Sequence, residues 1–102
     1  MYARHVTVKG DLARIDQAIR TQEDVVLPAL HDCEGFVAQL VLVDRSDGEV
    51  IGMSVWDTEE HMRESEERIR PARQQVAHAM GAVGAPVVRV YELAIFDQAE
   101  QT

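Results

Sequence analysis

The fold is decided by residues 36–56, which read FVAQLVLVDRSDGEVIGMSVW. Both arms are rich in apolar and β-branched residues, and Asp47-Gly48 between them supplies the positive-φ positions of a tight reversal, so the pattern predicts a β-hairpin. The first arm is apolar on both sides, with Phe36, Ala38, Leu40 and Leu42 on one and Val37, Val41 and Val43 on the other. An antiparallel strand with one face in water alternates apolar and polar residues. We therefore expect this strand to be covered on both faces.

The segment before the hairpin predicts a strand and a helix. Residues 2–8 (YARHVTV) alternate in the manner of a strand, and Gly10 ends it. Asp11 is a natural N-cap for a helix over residues 12–31, whose apolar residues recur at helical spacing. Gln22 is the one polar residue on that apolar stripe. Pro28 removes a backbone donor, so we expect the helix to kink or end there.

The segment after the hairpin predicts a divided helix and a last strand. Asp57 and Thr58 both suit an N-cap, and residues 58–70 form a heavily charged helical pattern. We predict that Pro71 separates this helix from a second one over residues 71–81, and that the first piece is the more mobile. Residues 87–96 (VVRVYELAIF) predict a strand. We expect a single domain over residues 1–96 and a polar tail over 97–102.

The order of elements is β-α-β-β-α-β, which is the ferredoxin-like order. It predicts an α+β fold with a four-stranded antiparallel sheet, both helices on one face, and strands two and four at the edges. The helices can cover only one face, although strands two and four are apolar on both. Exposed apolar edge strands aggregate. A second copy of the chain packed sheet to sheet would bury the other face, so we predict a homodimer.

Charge and composition exclude several classes of partner and site. A net charge of −8 argues against nucleic acid and anionic membranes as partners. The single cysteine, Cys33, cannot form an internal disulfide, and no signal peptide is evident, which favours a cytoplasmic location. The four histidines lie on separate predicted elements without metal-ligand spacing, and no glycine-rich loop joins a strand to a helix. We therefore expect neither a metal nor a cofactor.

A third strand that ends in Trp and runs directly into an acidic helix, here IGMSVWDTEEHM over residues 51–62, resembles the dimeric α/β-barrel superfamily. Within it, the chain is most similar to the antibiotic-biosynthesis-monooxygenase-like (ABM-like) domains, over residues 1–96. The resemblance implies a homodimer in which two sheets form an α/β barrel. Several members bind a small organic molecule, or haem, between sheet and helices. Some are cofactor-independent oxygenases of aromatic substrates, and many have no known activity.

Polar residues among the apolar ones of each strand are the candidate site. If they all face the helices, they converge with Gln22 on a cavity, which is the usual form of a ligand site. His5 would be a general base, since histidine titrates near neutral pH, and Tyr91 would assist it as a second catalytic residue. The predicted ligand-binding residues are Gln22, Ser54, Trp56 and Arg89, with the Trp56 ring stacking on a planar ligand. The alternative for each is structural: a core aromatic, a structural histidine, or hydrogen bonds at an interface.

Three classes of function remain open from the sequence. The first is a cofactor-independent monooxygenase, or a related enzyme, that acts on a small planar organic molecule. The second is a protein that binds such a molecule without chemistry. The third is a structural or partner-binding dimer with a solid core. A pocket of about 300 Å³ or more beside Trp56 would favour the first two.

Overall fold

The computed structural model describes residues 1–100, in which four antiparallel strands form one sheet with the helices on one of its faces. The strands are β1 (Tyr2–Lys9), β2 (Phe36–Asp44), β3 (Glu49–Trp56) and β4 (Val87–Glu92). Their order is β2-β3-β1-β4, which confirms the ferredoxin-like prediction and places β2 and β4 at the edges. The division into a domain at 1–96 and a tail at 97–102 stays a prediction, because residues 101 and 102 lie outside the described chain.

The predicted hairpin forms, but its turn is built differently. Gly48 has a φ of 68°, whereas Asp47 has no positive φ. The Asp44 carboxylate accepts hydrogen bonds from the amides of Ser46 and Asp47, at 3.0 and 3.1 Å, and so organises the loop. The reversal therefore needs one left-handed residue rather than two, and glycine supplies it without a Cβ clash.

A β-bulge changes the faces assigned to the start of β2. The pairing with β3 shifts register between Phe36 and Ala38, so that Phe36 lies opposite Trp56 and Ala38 opposite Val55. Because paired residues share a face, Phe36 points toward the helices together with Trp56. The prediction that Phe36 shares a face with Ala38, Leu40 and Leu42 is wrong, since alternation alone does not reveal an extra residue in a strand.

The first helical region does not end at Pro28, because its hydrogen-bonding pattern widens to a π turn just before the proline. It consists of a 3₁₀ turn (Leu12–Arg14), α1 (Ile15–Thr21), a π turn (Gln22–Val26) and α2 (Leu27–His31). The Asp11 carboxylate caps it by accepting from the amide of Ala13 at 2.9 Å. The amide of Leu27 donates to the carbonyl of Gln22, five residues back. This wider turn gives the ring of Pro28 room beside the preceding carbonyls, so the helix continues to His31.

The second helical region divides at Ser65, not at Pro71. It consists of α3 (Glu59–Glu64), capped by Thr58, and α4 (Glu66–Ala79), which contains Pro71. In a continuous helix the Met62 carbonyl would accept from the amide of Glu66. Here it accepts from the guanidinium of Arg4 and, at 2.6 Å, from the hydroxyl of Ser65. These bonds compete with the helical one and account for the break. The greater mobility of the first piece stays a prediction.

The last strand is shorter than predicted. β4 pairs with β1 from Val87 opposite Thr7 to Glu92 opposite Tyr2. One more bond joins the amide of Leu93 to the carbonyl of Met1. Residues 93–96 lie outside the strand despite their apolar sequence, and Ile95 is 80% exposed.

The core lies between the sheet and the helices. Its largest fully buried side chains are those of Trp56, Ile15, Leu30 and Met80. The opposite face of the sheet, the open face, carries no helix. Within residues 1–100, no helix combines the length and the apolar character needed to cross a bilayer.

Candidate functional site

The sheet separates the predicted site residues into two groups on opposite faces. Arg4 pairs with Ser54 and lies on the helix face, whereas its neighbour His5 pairs with Met53 and with Arg89 on the open face. Tyr91 lies opposite Ala3 and shares the open face with His5. The predicted convergence of all six residues is therefore wrong. Alternation fixes the faces within one strand, but the register between strands, which decides whether those faces agree, cannot be read from one chain.

On the open face, the two predicted catalytic residues and Arg89 form a small cluster. The rings of His5 and Tyr91 meet edge to face, with their centroids 6.3 Å apart. The guanidinium carbon of Arg89 lies 5.7 Å from the centre of the Tyr91 ring. In the single chain this cluster is at the surface, where Tyr91 is 45% exposed. The arrangement brings a base, a phenol and a cation together without enclosing them.

On the helix face, an inner cavity of about 40 Å³ lies between the sheet and the helices. By the space that one water occupies, it has room for about three water-sized particles. Its polar lining is formed by Arg4, Gln22, Gln39, Ser54 and Arg73, set among aliphatic side chains. Gln22 and Ser54, two of the six site residues predicted from the sequence, thus lie beside one cavity, and their role in binding stays a prediction.

The π turn and a glycine bring the two glutamines together over the sheet. Gln22 begins the π turn and is only 7% exposed. A Cβ built on Gly52 would lie 3.7 Å from Nε2 of both Gln22 and Gln39. The missing side chain at Gly52 therefore leaves the space into which both amides reach. Single π turns inside helices are frequently found at functional sites.

Trp56 belongs to the core and offers no open ring face. It is fully buried, and its indole N–H donates to the hydroxyl of Ser54 at 2.9 Å. Phe36 packs against one side of the ring at 5.6 Å between centroids, and the Arg4 guanidinium carbon lies 5.7 Å from its centre. The ring does not line the inner cavity. Its neighbours therefore occupy the surfaces on which a planar ligand was expected to stack.

The residues that sequence reasoning missed are buried arginines around one carboxylate. Arg73 donates from both Nη atoms to the carboxylate of Glu66, at 2.8 and 2.9 Å. Arg70 donates to it at 3.2 Å, and Nε of Arg4 lies 3.5 Å from it. The hydrogen bonds from Arg73 lower the pKa of Glu66 to about 2. In the sequence, Glu66 and Arg70 look like an ion pair on the helix surface. The only sign of a further partner is that Arg73 follows Glu66 by seven residues, or two helical turns.

Arg4 connects the inner cavity to a second, larger space. Its side chain is 4% exposed and donates to Ser65 Oγ at 3.1 Å, and burial lowers its pKa. An open groove of about 450 Å³ lies beside it, and its lining also includes Tyr2, Glu59, Met62, Arg63, Glu66, Val88, Val90 and Tyr91. This groove has the volume of a small-molecule site, which the inner cavity lacks. Arg4 is a wall of both.

Comparison with known proteins shows the class of fold. The chain has the ferredoxin-like fold of the antibiotic biosynthesis monooxygenase domains. The monooxygenase from the gene ActVA-Orf6 of Streptomyces coelicolor, solved with nanaomycin D, superposes with a TM-score of 0.75 at 17% identity, over 95% of this chain and 92% of the other. SnoaB, a cofactor-independent oxygenase from Streptomyces nogalater, does so with a TM-score of 0.59 at 17% identity, over 93% and 92% of the two chains.

The same fold and closer sequences occur in proteins without an assigned activity. NE2512 of Nitrosomonas europaea, a protein of unknown function, superposes with a TM-score of 0.76 at 14% identity over 98% of this chain and 95% of its own. The uncharacterized protein Rv2557 of Mycobacterium tuberculosis is 38% identical over 94 residues, which are 92% of this chain and 41% of that protein. The chain thus spans less than half the length of this relative. No protein-family model matches the sequence.

Proposed function

We propose that the chain is a homodimeric protein of ABM-like fold that binds a small organic molecule on the helix face of its sheet, around Arg4. One observation carries the proposal. A buried arginine, Arg4, is a common wall of an open groove and of a polar cavity, and the groove has the volume of a small-molecule site.

The groove suits the planar ligand that the sequence predicts. Val88 and Val90 give it an apolar side, and two arginine–glutamate pairs, Arg4 with Glu66 and Arg63 with Glu59, give it a polar one. Flat aromatic molecules use this combination, because apolar walls bury the ring while a few polar groups fix its orientation. The structurally similar monooxygenase from ActVA-Orf6 was solved with nanaomycin D, which supports a ligand of this class.

A thermal-shift screen with aromatic acids and naphthoquinones tests the proposal. We expect at least one of these compounds to raise the melting temperature in a saturable manner. Val90→Trp fills the groove and should abolish that shift. Val83→Trp is the matched control, because Val83 is 86% exposed in the loop before β4 and lies outside the groove lining. A wild-type protein that no planar compound stabilises would leave the structural or partner-binding alternative.

The homodimer rests on the open face of the sheet. Leu40, Leu42 and Val87 on that face are 46%, 55% and 57% exposed, as expected for a surface that a second copy covers. The accessible surface of the chain is 6568 Å², whereas a compact monomer of 11.4 kDa has about 5,800 Å², so the chain exposes more surface than a compact monomer of its mass.

Catalysis as a cofactor-independent monooxygenase is the second candidate, and the cluster of His5, Tyr91 and Arg89 favours it. A dimer formed through the open face would enclose this cluster. His5 could then accept the proton of a phenolic substrate, while Arg89 and Tyr91 hold the phenolate. Oxidation of a phenol to a quinone by O₂ places one oxygen atom on the ring and releases the other as water, with all electrons supplied by the ring.

Oxygen uptake with hydroxynaphthalenes separates the enzyme from the binder. An enzyme should consume O₂ in proportion to the quinone formed, and His5→Ala should lower the rate at least a hundredfold, the usual contribution of a general base. His78→Ala, on the exposed side of α4, should leave it unchanged. Ligand binding without O₂ uptake would assign the chain to the binding proteins.

A further inference from the structure

The groove beside Arg4 carries as many negative charges as positive ones. Its charged lining residues are Arg4, Arg63, Glu59 and Glu66, all within the described part of the chain. Nη2 of Arg63 donates a hydrogen bond to the Glu59 carboxylate, and Nε of Arg4 lies 3.5 Å from that of Glu66. Each cation of the groove is thus paired with a carboxylate of the same groove. A ligand that enters therefore meets two ion pairs among these lining residues.

Arg4 is fixed in place and is not free to turn toward a ligand. It is 4% exposed, its Nη1 donates to Ser65 Oγ at 3.1 Å, and its Nη2 donates to the Met62 carbonyl. Its partner Glu66 accepts hydrogen bonds from both Nη atoms of Arg73, which keep the pKa of Glu66 at about 2. Glu66 is therefore ionised at neutral pH, and the pair of Arg4 and Glu66 stays closed.

The pair of Arg63 and Glu59 forms the exposed side of the groove. Both residues lie on α3, four positions apart, with the glutamate nearer the N-terminus, which is the favourable order for such a pair. Their side chains are 75% and 42% exposed, compared with 5% and 28% for Arg4 and Glu66. Arg63 is therefore the cation that a ligand can reach, and Glu59 competes with the ligand for it.

A planar carboxylate meets repulsion in this groove that an uncharged analogue does not. To bind Arg63, it must displace Glu59 or share the guanidinium with it, and either arrangement brings two carboxylates close together. The net charge of −8 adds a field that repels anions. An uncharged molecule leaves the ion pair intact. Tyr2 and Tyr91 in the same lining carry hydroxyls, which can donate hydrogen bonds to a carbonyl or accept them from a hydroxyl.

We infer that Glu59 is a specificity residue: by neutralising Arg63, it makes the groove select uncharged planar molecules over the corresponding carboxylates. The inference rests on the proposed function, since it names the charge of the ligand in the same groove. It also divides the compounds of the thermal-shift screen, because the quinones should stabilise the protein more than the aromatic acids do.

Titration of the wild-type protein with 2-naphthamide and 2-naphthoate, at neutral pH and constant ionic strength, tests the inference. The two probes have nearly the same shape and differ in charge. We expect saturable heat of binding for naphthamide and at least tenfold weaker binding of naphthoate. Naphthoate that binds as tightly as naphthamide, or a protein that binds neither probe, would overturn the inference.

Three variants test whether Glu59 causes the selection. Glu59→Gln releases Arg63 and should raise the affinity for naphthoate at least fivefold, while that for naphthamide changes less than twofold. Glu60→Gln is the matched control, because Glu60 lies in the same first turn of α3 but outside the groove lining, and should change both affinities less than twofold. Glu59→Gln combined with Arg63→Gln should lose the gain for naphthoate. The inference is wrong if Glu59→Gln gives no gain, if Glu60→Gln gives an equal one, or if the gain survives the loss of Arg63.

The charge selection and the groove itself can fail separately. If naphthoate stabilises the protein at least as well as a naphthoquinone does, and Val90→Trp abolishes both effects, the proposed function holds and only the inference about Glu59 fails. If no planar compound of either charge binds, the proposed function fails with it.

Discussion

Trp56 was predicted to lie beside Ser54 and to stack on a ligand, and the structure shows the first of these but buries the ring in the core. Its spacing from Ser54 places both on one face of β3, and the structure joins them by a hydrogen bond of 2.9 Å. The sequence could not show how deeply the Trp56 ring is buried, because Phe36 packs against it only as a result of the bulge in β2. The tryptophan that was expected to hold a ligand instead fills the core.

The first prediction follows from this burial. Trp56→Ala should lower the free energy of unfolding by about 3–5 kcal/mol, as for other large aromatic residues removed from a core. Trp56→Phe keeps one aromatic ring but removes the five-membered ring and the N–H that Ser54 accepts, so its cost should be smaller, at about 1–3 kcal/mol. Urea denaturation followed by circular dichroism measures both. A Trp56→Ala protein with an unchanged midpoint would contradict the core role.

A second prediction at the residue scale concerns His61 and Asp57. Nδ1 of His61 lies 2.7 Å from the Asp57 carboxylate, and Glu34 is 3.8 Å from its Nε2. The hydrogen bond with Asp57 raises the pKa of His61 above 6.5, with Glu34 and Glu64 adding to the effect against the opposing effect of burial. The same bond lowers the pKa of Asp57 below 3.8.

The sign of the pH dependence follows from these two directions. Because the folded pKa of His61 is raised, its contribution to stability is complete below pH 6.5 and is lost as the pH rises through the folded value. The contribution of Asp57 is complete above pH 3.8 and is lost as the pH falls through its lowered pKa. The stability difference between wild type and His61→Gln should therefore shrink from pH 5.5 to pH 8.5 in urea titrations. A stability difference that stays constant between pH 5.5 and pH 8.5 would contradict the prediction.

At the scale of elements, tertiary contacts override the local signal of proline. Pro71 marks the expected helix break in sequence, but α4 passes through it and the break lies at Ser65. The cause, Arg4 bonding to the Met62 carbonyl, joins residues 58 positions apart and is invisible to any local pattern. The same holds for β4, whose last paired residue, Glu92, lies opposite Tyr2 of β1. The order of the elements could be predicted because apolar periodicity is a local property of the sequence. The ends of the elements depend on contacts with residues far away in the chain.

The helix that contains Pro71 provides the third prediction. Proline inside a helix costs about 3 kcal/mol relative to alanine, and Pro71 is exposed, so Pro71→Ala should raise the free energy of unfolding. Part of the gain is offset by about 0.4–1 kcal/mol, because alanine leaves the unfolded chain more flexible. We expect a net gain of about 2 kcal/mol in urea denaturation. Pro86→Ala, in the loop before β4, is the control and should be slightly destabilising; a Pro71→Ala protein that loses stability would contradict the prediction.

At the scale of the whole molecule, the fold was predictable and the site only in part. Residues 36–44 are apolar on both sides, which indicated a strand of the sheet. It also indicated that the face without helices is apolar, because the residues of a strand alternate between the two faces. Gln22 and Ser54 both line one cavity, and their role in binding stays a prediction. Arg4 and Arg73 were missed, because the sequence does not distinguish a buried arginine from an exposed one. Their partner, Glu66, lies on another element for Arg4 and two helical turns away for Arg73.

The open face provides the last prediction, which concerns the dimer. Leu40 and Leu42 lie opposite Met53 and Ile51 near the edge of that face. If a second copy covers it, Leu40→Lys with Leu42→Lys buries two charges without partners and should convert the protein to a monomer. Leu12→Lys with Val83→Lys changes two residues of equal or greater exposure, 55% and 86%, away from this face, and should leave the dimer intact. Sedimentation velocity at micromolar concentration distinguishes the two states, and a wild-type protein that sediments as a stable monomer would refute the homodimer. The two double variants also distinguish a loss of dimerisation from a general effect of charge on solubility. Each adds two positive charges, but only Leu40→Lys with Leu42→Lys adds them where the second sheet would lie.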